Sequence, residues 1–230
     1  MIIKRLAHPL AKRKRKGGKY IVAPRGPHPL EESIALAALL RDYLELVETY
    51  KEAKRVIKAR KIIVDGRVMR DHKYGVGLFD VVEIPALEKA YRMVPLGRHK
   101  LVPVEIPLDE ARIKVCKIIG KRAVKGGRIQ YNFHDGRNML GENTYLTKDS
   151  IVFKLPEQEV VKHLPLKENM LCFVYRGKNT GKLGRILKIE RGWRLNRVLL
   201  EDVKDGNQFY APFDCVIVVG EDKPEITVGV

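Results

Sequence analysis

Apolar positions recur along this chain with two different periods, and the change of period divides it. Ile34, Leu36, Leu39, Leu40, Tyr43 and Leu44 keep the three-to-four-residue spacing of an amphipathic helix. The spacing predicts a first helix starting after Pro29, with Glu31 and Glu32 in its first turn, where the helix dipole favours negative charge. A second helix starts at Thr49. Thr49 and Glu52 have the spacing of a capping box, in which each side chain satisfies an amide at the open helix end. Ala53, Val56 and Ile57 then form an apolar face, and Lys51, Lys54, Arg55 and Lys58 fall on the other side. Lys61-Ile62-Ile63-Val64 is a β-branched run ended by Asp65-Gly66, a tight-turn dipeptide, and the return begins at Arg67. Residues 79–84 predict a further strand, stopped by Pro85. Residues 31–85 therefore read helix, helix, strand, turn, strand.

Beyond residue 89 the period shortens to that of strands. Runs at 91–94, 101–104, 113–124, 128–133, 150–155 and 159–164 are separated by Gly97, Lys125-Gly126-Gly127 and His134-Asp135-Gly136, with one helical turn at 107–110. This spacing suggests a β barrel or sandwich. Residues 169–220 are again all strand and match the size of a small SH3-like barrel. At the other end, residues 1–30 read as an arm. Lys12-Arg13-Lys14-Arg15-Lys16 cannot pack against itself without repulsion, and Pro24, Pro27 and Pro29 break any regular element. Such arms order on a partner. The fold class expected is α+β and multi-domain: a basic N-terminal arm (1–30), a helix-helix-strand block (31–88), a central β-rich domain (89–168) and a C-terminal small barrel (169–230).

Charge turns this outline toward a partner. The chain of 230 residues has 45 Lys and Arg against 28 Asp and Glu, a net charge of +17. Residues 1–25 hold nine Lys/Arg and no acid; 54–73 hold eight with two acids; 111–137 and 176–197 each hold eight with one acid. The remainder is net acidic, so the positive charge is gathered into patches. Gathered positive charge attracts a polyanion and releases its counterions, whereas a merely solubilising surface mixes signs.

Other classes are poorly supported. No apolar run approaches the ~18–20 residues of a membrane span, and residues 1–10 lack the apolar core of a secretory signal. Cys116, Cys172 and Cys215 stand far apart, which is neither a disulfide framework nor a zinc site. A reducing cytoplasm is the expected compartment. Ser33 and Ser150 are outside any nucleophile-elbow context, and the six histidines have no metal-ligand spacing. His134-Asp135 precedes a glycine and reads as a turn. Tyr131 and Phe133 alternate with Gln130 and Asn132 and read as core packing ahead of base stacking. The glycine loop at 177–184 is not a phosphate loop: it lacks one residue between Gly177 and Gly181, and Lys182 is followed by Leu183 rather than Ser or Thr.

Two segments resemble known RNA-binding modules. Thr49 to Ile57, followed by Ile62-Ile63-Val64-Asp65-Gly66-Arg67-Val68 and the later strand Asp80-Val81-Val82-Glu83-Ile84, resembles the alpha-L RNA-binding domain. The loop Gly177 to Gly184 resembles a KOW motif, with Gly181 at its central glycine, where the backbone must turn sharply. Together with Lys4-Arg5-Leu6-Ala7 and the Gly26-Pro27-His28 segment before the first helix, the order of parts resembles the small-subunit ribosomal proteins number four of the archaeal and eukaryotic type. Near residues 11–15, where family members often carry a tryptophan, this chain has Arg and Lys. The short stretch after Val219 matches archaeal rather than eukaryotic members.

The resemblance implies a structural constituent of the small ribosomal subunit that binds and scaffolds small-subunit rRNA beside neighbouring ribosomal proteins. It implies no catalytic residue, metal, cofactor, small-molecule substrate or membrane. The residues expected on RNA are Lys12, Arg13, Lys14, Arg15 and Lys16 of the arm; Lys51, Lys54, Arg55, Lys58, Arg60, Lys61, Arg67 and Arg70 of the alpha-L block; Lys121, Arg122, Lys125 and Arg128 of the centre; and Lys178, Lys182 and Arg185 of the KOW loop. A fallback set in the last domain is Arg191, Arg194 and Arg197 around Trp193. The rival readings are an RNA-modifying enzyme docking through an alpha-L domain, and a KOW-type transcription or RNA-chaperone factor.

Overall fold

The computed structural model describes residues 2–8, 10, 19–97, 100–192 and 196–229. The chain forms two compact units, one of Met1–Val94 with His99–Arg112, the other of Pro95–Arg98 with Ile113–Val230. Both are built mostly from strands. Among the described residues no helix is long and apolar enough to cross a membrane.

The first unit contains β1 (Ile2–Lys4), β2 (Tyr20–Val22), β3 (Ile34–Ala35), α1 (Leu36–Ala38), α2 (Tyr50–Lys58), β4 (Ile63–Val64), β5 (Arg67–Val68), β6 (Gly75–Val76), β7 (Val81–Ile84), β8 (Lys89–Pro95) and β9 (Leu101–Ile106). Its main sheet has the order β5-β4-β7-β8-β9, and β1-β2 and β3-β6 form two small antiparallel pairs. Leu36, Leu39 and Leu40 from the first helical segment, Ala53 and Ile57 from α2, Ile62 just ahead of β4, and Val64, Val82 and Met93 from the strands make one core. Each of the larger side chains, Leu, Ile, Val and Met, contributes roughly 1.5–3 kcal/mol by leaving water.

The first helix starts later than its hydrophobic spacing predicts. Leu30–Glu32 forms a separate 3-10 turn, which Ser33 closes by donating from Oγ to the Pro29 carbonyl at 2.9 Å. Ile34 and Ala35 are then drawn into strand pairing with Val76 and Gly75. Helical geometry begins only at Leu36 and continues as wider turns over Leu39–Tyr43, where the Leu44 amide reaches the Leu39 carbonyl.

The described part of the stretch expected to be an arm is built into this unit. Ile3 opposes Ile21, and both pack on the core. Arg5 is buried and its Nη1 lies 3.2 Å from Asp42 Oδ2. His28 is fixed more firmly still. Its Nε2 is 2.9 Å from Asp80 Oδ2, which also accepts from the Gly77 amide at 2.8 Å. A Cβ at Gly77 would stand 2.5 Å from the His28 ring, so only glycine lets the ring lie there. Lys12–Lys16 fall outside the described residues.

The second unit contains β10 (Ile113–Ala123), β11 (Ile129–Phe133), β12 (Asn138–Gly141), β13 (Ser150–Lys154), β14 (Glu159–Leu164), β15 (Leu171–Val174), β16 (Leu183–Arg191), β17 (Asn196–Asp202), β18 (Gln208–Pro212) and β19 (Val216–Gly220). They form two five-stranded sheets, β12-β11-β10-β13-β14 and β18-β17-β16-β15-β19. Cys116, Ile118, Tyr131, Phe133, Ile151, Phe153 and Leu155 form the core of the first. Phe173, Ile186, Val198, Leu200 and Val218 are buried in the second.

Strand β10 is buried continuously from Lys114 to Ile118, as a strand covered on both faces must be. Two of those buried residues are lysines. Lys114 Nζ lies 3.1 Å from Asp135 Oδ2, which Arg137 Nε also reaches at 2.8 Å. Lys117 Nζ donates to the Phe213 and Val216 carbonyls, each at 2.6 Å. These cations belong to the interior, so the charge of the 111–137 window overstates what it presents to a partner.

Candidate nucleic-acid interface

The cationic block of the first unit rests on a well-terminated helix. The Glu52 amide donates to Thr49 Oγ1 at 3.2 Å, and Glu52 Oε2 accepts from the Thr49 and Glu48 amides at 3.4 and 3.1 Å. This is the capping box that the spacing predicts. The hydrogen bond from Thr49 holds the Glu52 carboxyl below its usual range. At the other end, Arg60 turns left-handed at φ 60°, and the Ala59 and Arg60 amides close on the Arg55 and Ile57 carbonyls.

Between these ends Ala53 and Ile57 are fully buried and Val56 packs against the core from the edge. Lys51, Lys54, Arg55 and Lys58 are exposed, at positions i, i+3, i+4 and i+7 of one helix face. The chain continues through exposed Arg60 and Lys61 into the β4–β5 hairpin. Its two-residue turn has Asp65 at φ 51° and Gly66 at φ 73°, the doubly left-handed geometry of the tight hairpin turn. Asp65 is buried and accepts from the Val81 amide at 2.9 Å, which anchors the turn to β7. Arg67 lies on edge strand β5 and Arg70 just beyond; both are exposed. Among the described residues none of these eight cations forms a salt bridge or side-chain hydrogen bond. Their charge is uncommitted.

In the second unit the expected residues divide. Gly126 and Gly127, at φ 84° and 73°, turn the β10–β11 hairpin, with nothing near enough to crowd a side chain there. Arg122, Lys125 and Arg128 around that tip are exposed, and Lys121 Nζ is held by Asn143 Oδ1 at 2.9 Å and the Tyr145 carbonyl at 3.3 Å. On the glycine loop Lys178 is exposed. Lys182 is engaged: its Nζ lies 2.6 Å from Asp202, a carboxylate that raises its pKa. Arg185 donates to the Asn169 carbonyl at 2.9 Å and lies 3.6 Å from Asp222.

Gly181 has two reasons to be glycine. Its φ is +94°, and a Cβ there would stand 3.2 Å from the Gly97 amide nitrogen. His134 and Asp135 point to different partners: His134 Nδ1 accepts from the Lys117 amide, and Asp135 faces Lys114 and Arg137. Of the fallback set, Arg191 is exposed, Arg194 and Trp193 fall outside the described residues, and Arg197 stacks on Tyr210 with the ring centroid 4.2 Å away. That last pairing depends on strand register, which residue spacing within one strand does not carry.

Comparison with known proteins places the chain. The family model described as ribosomal family S4e matches residues 87–160. The small ribosomal subunit protein eS4 of Archaeoglobus fulgidus is 44% identical over 99% of this chain and 97% of its own length. The protein of that name from Methanocaldococcus jannaschii is 40% identical, over 97% of this chain and 96% of its own. The crystal structure of the 30S ribosomal protein S4e from Thermoplasma acidophilum, 28% identical, superposes with a TM-score of 0.73 over 83% of this chain and 96% of that one. Agreement of this extent in both sequence and backbone makes the chain a member of the S4e family of ribosomal proteins.

Proposed function

We propose that this protein is a structural constituent of the small ribosomal subunit, acting in the cytoplasm with small-subunit rRNA and neighbouring ribosomal proteins as partners and with no reaction of its own. The observation that carries the reading is the set of eight exposed, uncommitted cations between Lys51 and Arg70, mounted on a capped helix and a tight hairpin. Near-complete alignment with relatives named as small-subunit proteins supports it. In this reading residues 31–88 carry the alpha-L RNA-binding domain, 89–168 the central β-rich region, whose first strands β8 and β9 extend the sheet of β4, β5 and β7, and 169–230 a KOW barrel, with 1–30 contributing basic residues ahead of them.

The mechanism is neutralisation and spacing. Lys and Arg offset the repulsion of phosphates that must approach one another, and rigid strands fix where those charges sit. Recognition is by RNA shape, because the A-form major groove is too narrow for side chains to read. Lys51, Lys54, Arg55 and Lys58 form the leading contact, with Arg60, Lys61, Arg67 and Arg70 beside them. Arg122, Lys125 and Arg128 form a second contact. Lys182 is held by Asp202 of β17 and Arg185 by the Asn169 carbonyl, and among the described residues Lys178 alone of the three faces solvent without a partner.

Gradient sedimentation of the tagged full chain at rising salt tests this. Co-migration with small subunits is expected. Migration with RNA polymerase would instead favour a transcription factor, and migration free of both would favour a soluble RNA-modifying role.

A further inference from the structure

The outer face of the C-terminal sheet carries a side-chain arrangement that phosphate neutralisation does not use. Val198 and Leu200 of β17 and Ala211 of β18 are buried, so Arg197, Leu199, Tyr210 and Pro212 face outward. The register sets Arg197 opposite Glu190 on one side and Pro212 on the other, and Leu199 opposite Tyr210. Arg197 and Tyr210 are thus diagonal neighbours, and the guanidinium carbon sits 4.2 Å from the Tyr210 ring centroid. Glu190 ties the two together: its Oε2 accepts from Arg197 Nε at 2.8 Å, and its Oε1 accepts from the Tyr210 hydroxyl at 3.4 Å.

As a surface ion pair this triad adds little to stability. Its effect is to hold a planar cation over an aromatic ring while both stay open to solvent, Tyr210 at 46% exposure and the Arg197 side chain at 42%. Only Nε of the guanidinium is used, so its outer N–H groups remain available among the described residues. A cation ordered in advance loses less entropy when a ligand arrives.

The surroundings select an anionic ligand. Glu190 is the only acid among eight Lys and Arg in residues 176–197, and it is committed to the triad. Lys188, on the same outward row, lies at a long 3.8 Å from Glu190 Oε1 with its side chain 65% exposed, and Arg191 is exposed at the strand end. Glu201 lies at the far end of the face, opposite Gln208. A planar, aromatic-backed cation beside an exposed lysine suits a ligand with a flat π face and a phosphate, which is a nucleotide. A base inside a duplex has no free face, so the nucleotide must be unpaired.

We propose that the Arg197–Tyr210 stack is a platform for an unpaired RNA base, with Lys188 and the outer guanidinium N–H groups on the adjoining phosphate. The inference rests on the rRNA-binding reading above and assigns this face a mode of contact distinct from the cationic helix.

The test uses the full chain at moderate salt and two probes, a single-stranded adenosine decamer carrying one 2-aminopurine and a blunt RNA duplex. For wild type, 2-aminopurine fluorescence is quenched on stacking, and Tyr210→Leu and Arg197→Lys each weaken decamer binding about tenfold, as loss of one stacked base implies. Tyr210→Phe keeps the ring and stays within about twofold on the same grounds. Duplex binding is unchanged in all three, as are melting midpoints. Arg197→Lys preserves the charge, so wild-type decamer binding by that variant would overturn the stack. Competition by polyglutamate against the decamer but not the duplex would also overturn it, in favour of a protein partner. Failure of wild type to bind either RNA would count against the rRNA reading itself, whereas normal duplex binding with a decamer response indifferent to Tyr210 would remove the platform alone.

Discussion

Lys117 places its ammonium 2.6 Å from the carbonyl oxygen of Phe213, ninety-six residues along the chain. The Val216 carbonyl accepts from the same Nζ, and the Tyr175 ring centroid lies 5.2 Å away, so the lysine spans from β10 to the turn before β19 inside the second unit. Burial lowers its pKa from 10.5 to about 8; Lys148 pushes the same way, and Asp214, Cys172 and Cys215 oppose.

A pH dependence of stability follows. The folded pKa lies below the unfolded value, so between pH 8 and 10.5 the unfolded chain holds the proton more tightly. The destabilisation from burying the charge is fully present below pH 8 and is relieved as pH rises through that window. Measured against Lys117→Met, wild type should gain up to about 3 kcal/mol in urea denaturation across it. At pH 7 the methionine variant, which leaves two carbonyls unpaired, should lose roughly 1–3 kcal/mol. A difference between the two proteins that stays flat with pH would mean that Lys117 titrates normally.

Asp135 faces Lys114 at 3.1 Å and Arg137 at 2.8 Å, with both the carboxylate and the lysine buried. Asp135→Asn removes the carboxylate charge beside a buried ammonium and should destabilise the second unit by roughly 3–5 kcal/mol. Thermal melting reads this directly.

The glycine loop offers a paired comparison. Gly177 and Gly181 share a φ of +94°, but only Gly181 is crowded, by Gly97, Leu96 and Pro95. Gly177→Ala should cost about 1 kcal/mol from backbone strain alone, and Gly181→Ala more, up to about 3 kcal/mol. Equal melting shifts would show that close approach contributes nothing.

Charge reversal of Lys54, Arg55 and Lys58 to Glu should leave the melting midpoint nearly unchanged, because exposed positions tolerate substitution. It should sharply weaken RNA binding. It should also flatten the plot of log affinity against log salt by roughly 0.7–0.9 for each phosphate that is no longer neutralised. Ile57→Asp, at a fully buried position of the same helix, should unfold the first unit instead. Normal RNA binding by the triple variant would make this helix face a plain solvated surface.

Local signals in the sequence carried much of this. The capping box at Thr49 and Glu52, the Asp65-Gly66 hairpin and most strand segments after residue 89, though not β12 at Asn138–Gly141, depend on neighbours a few residues apart, and the chain states them directly. The exposed row Lys51, Lys54, Arg55, Lys58 was legible for the same reason: helical spacing alone separates it from Ala53 and Ile57. Tertiary structure decided the rest, wherever a residue's environment comes from a distant segment. Ile34 and Ala35 have helical spacing but are taken as a strand by Gly75 and Val76. Lys114 and Lys117 look like surface charge until Asp135, Phe213 and Val216 close over them, and Lys182 looks like a ligand cation until Asp202 claims it. Arg197 and Tyr210 become one feature only through the register of two strands. A sequence specifies the charge a residue carries, but its availability depends on which long-range partners folding brings near, because a cation held by a buried carboxylate or carbonyl is already neutralised or solvated before any RNA arrives.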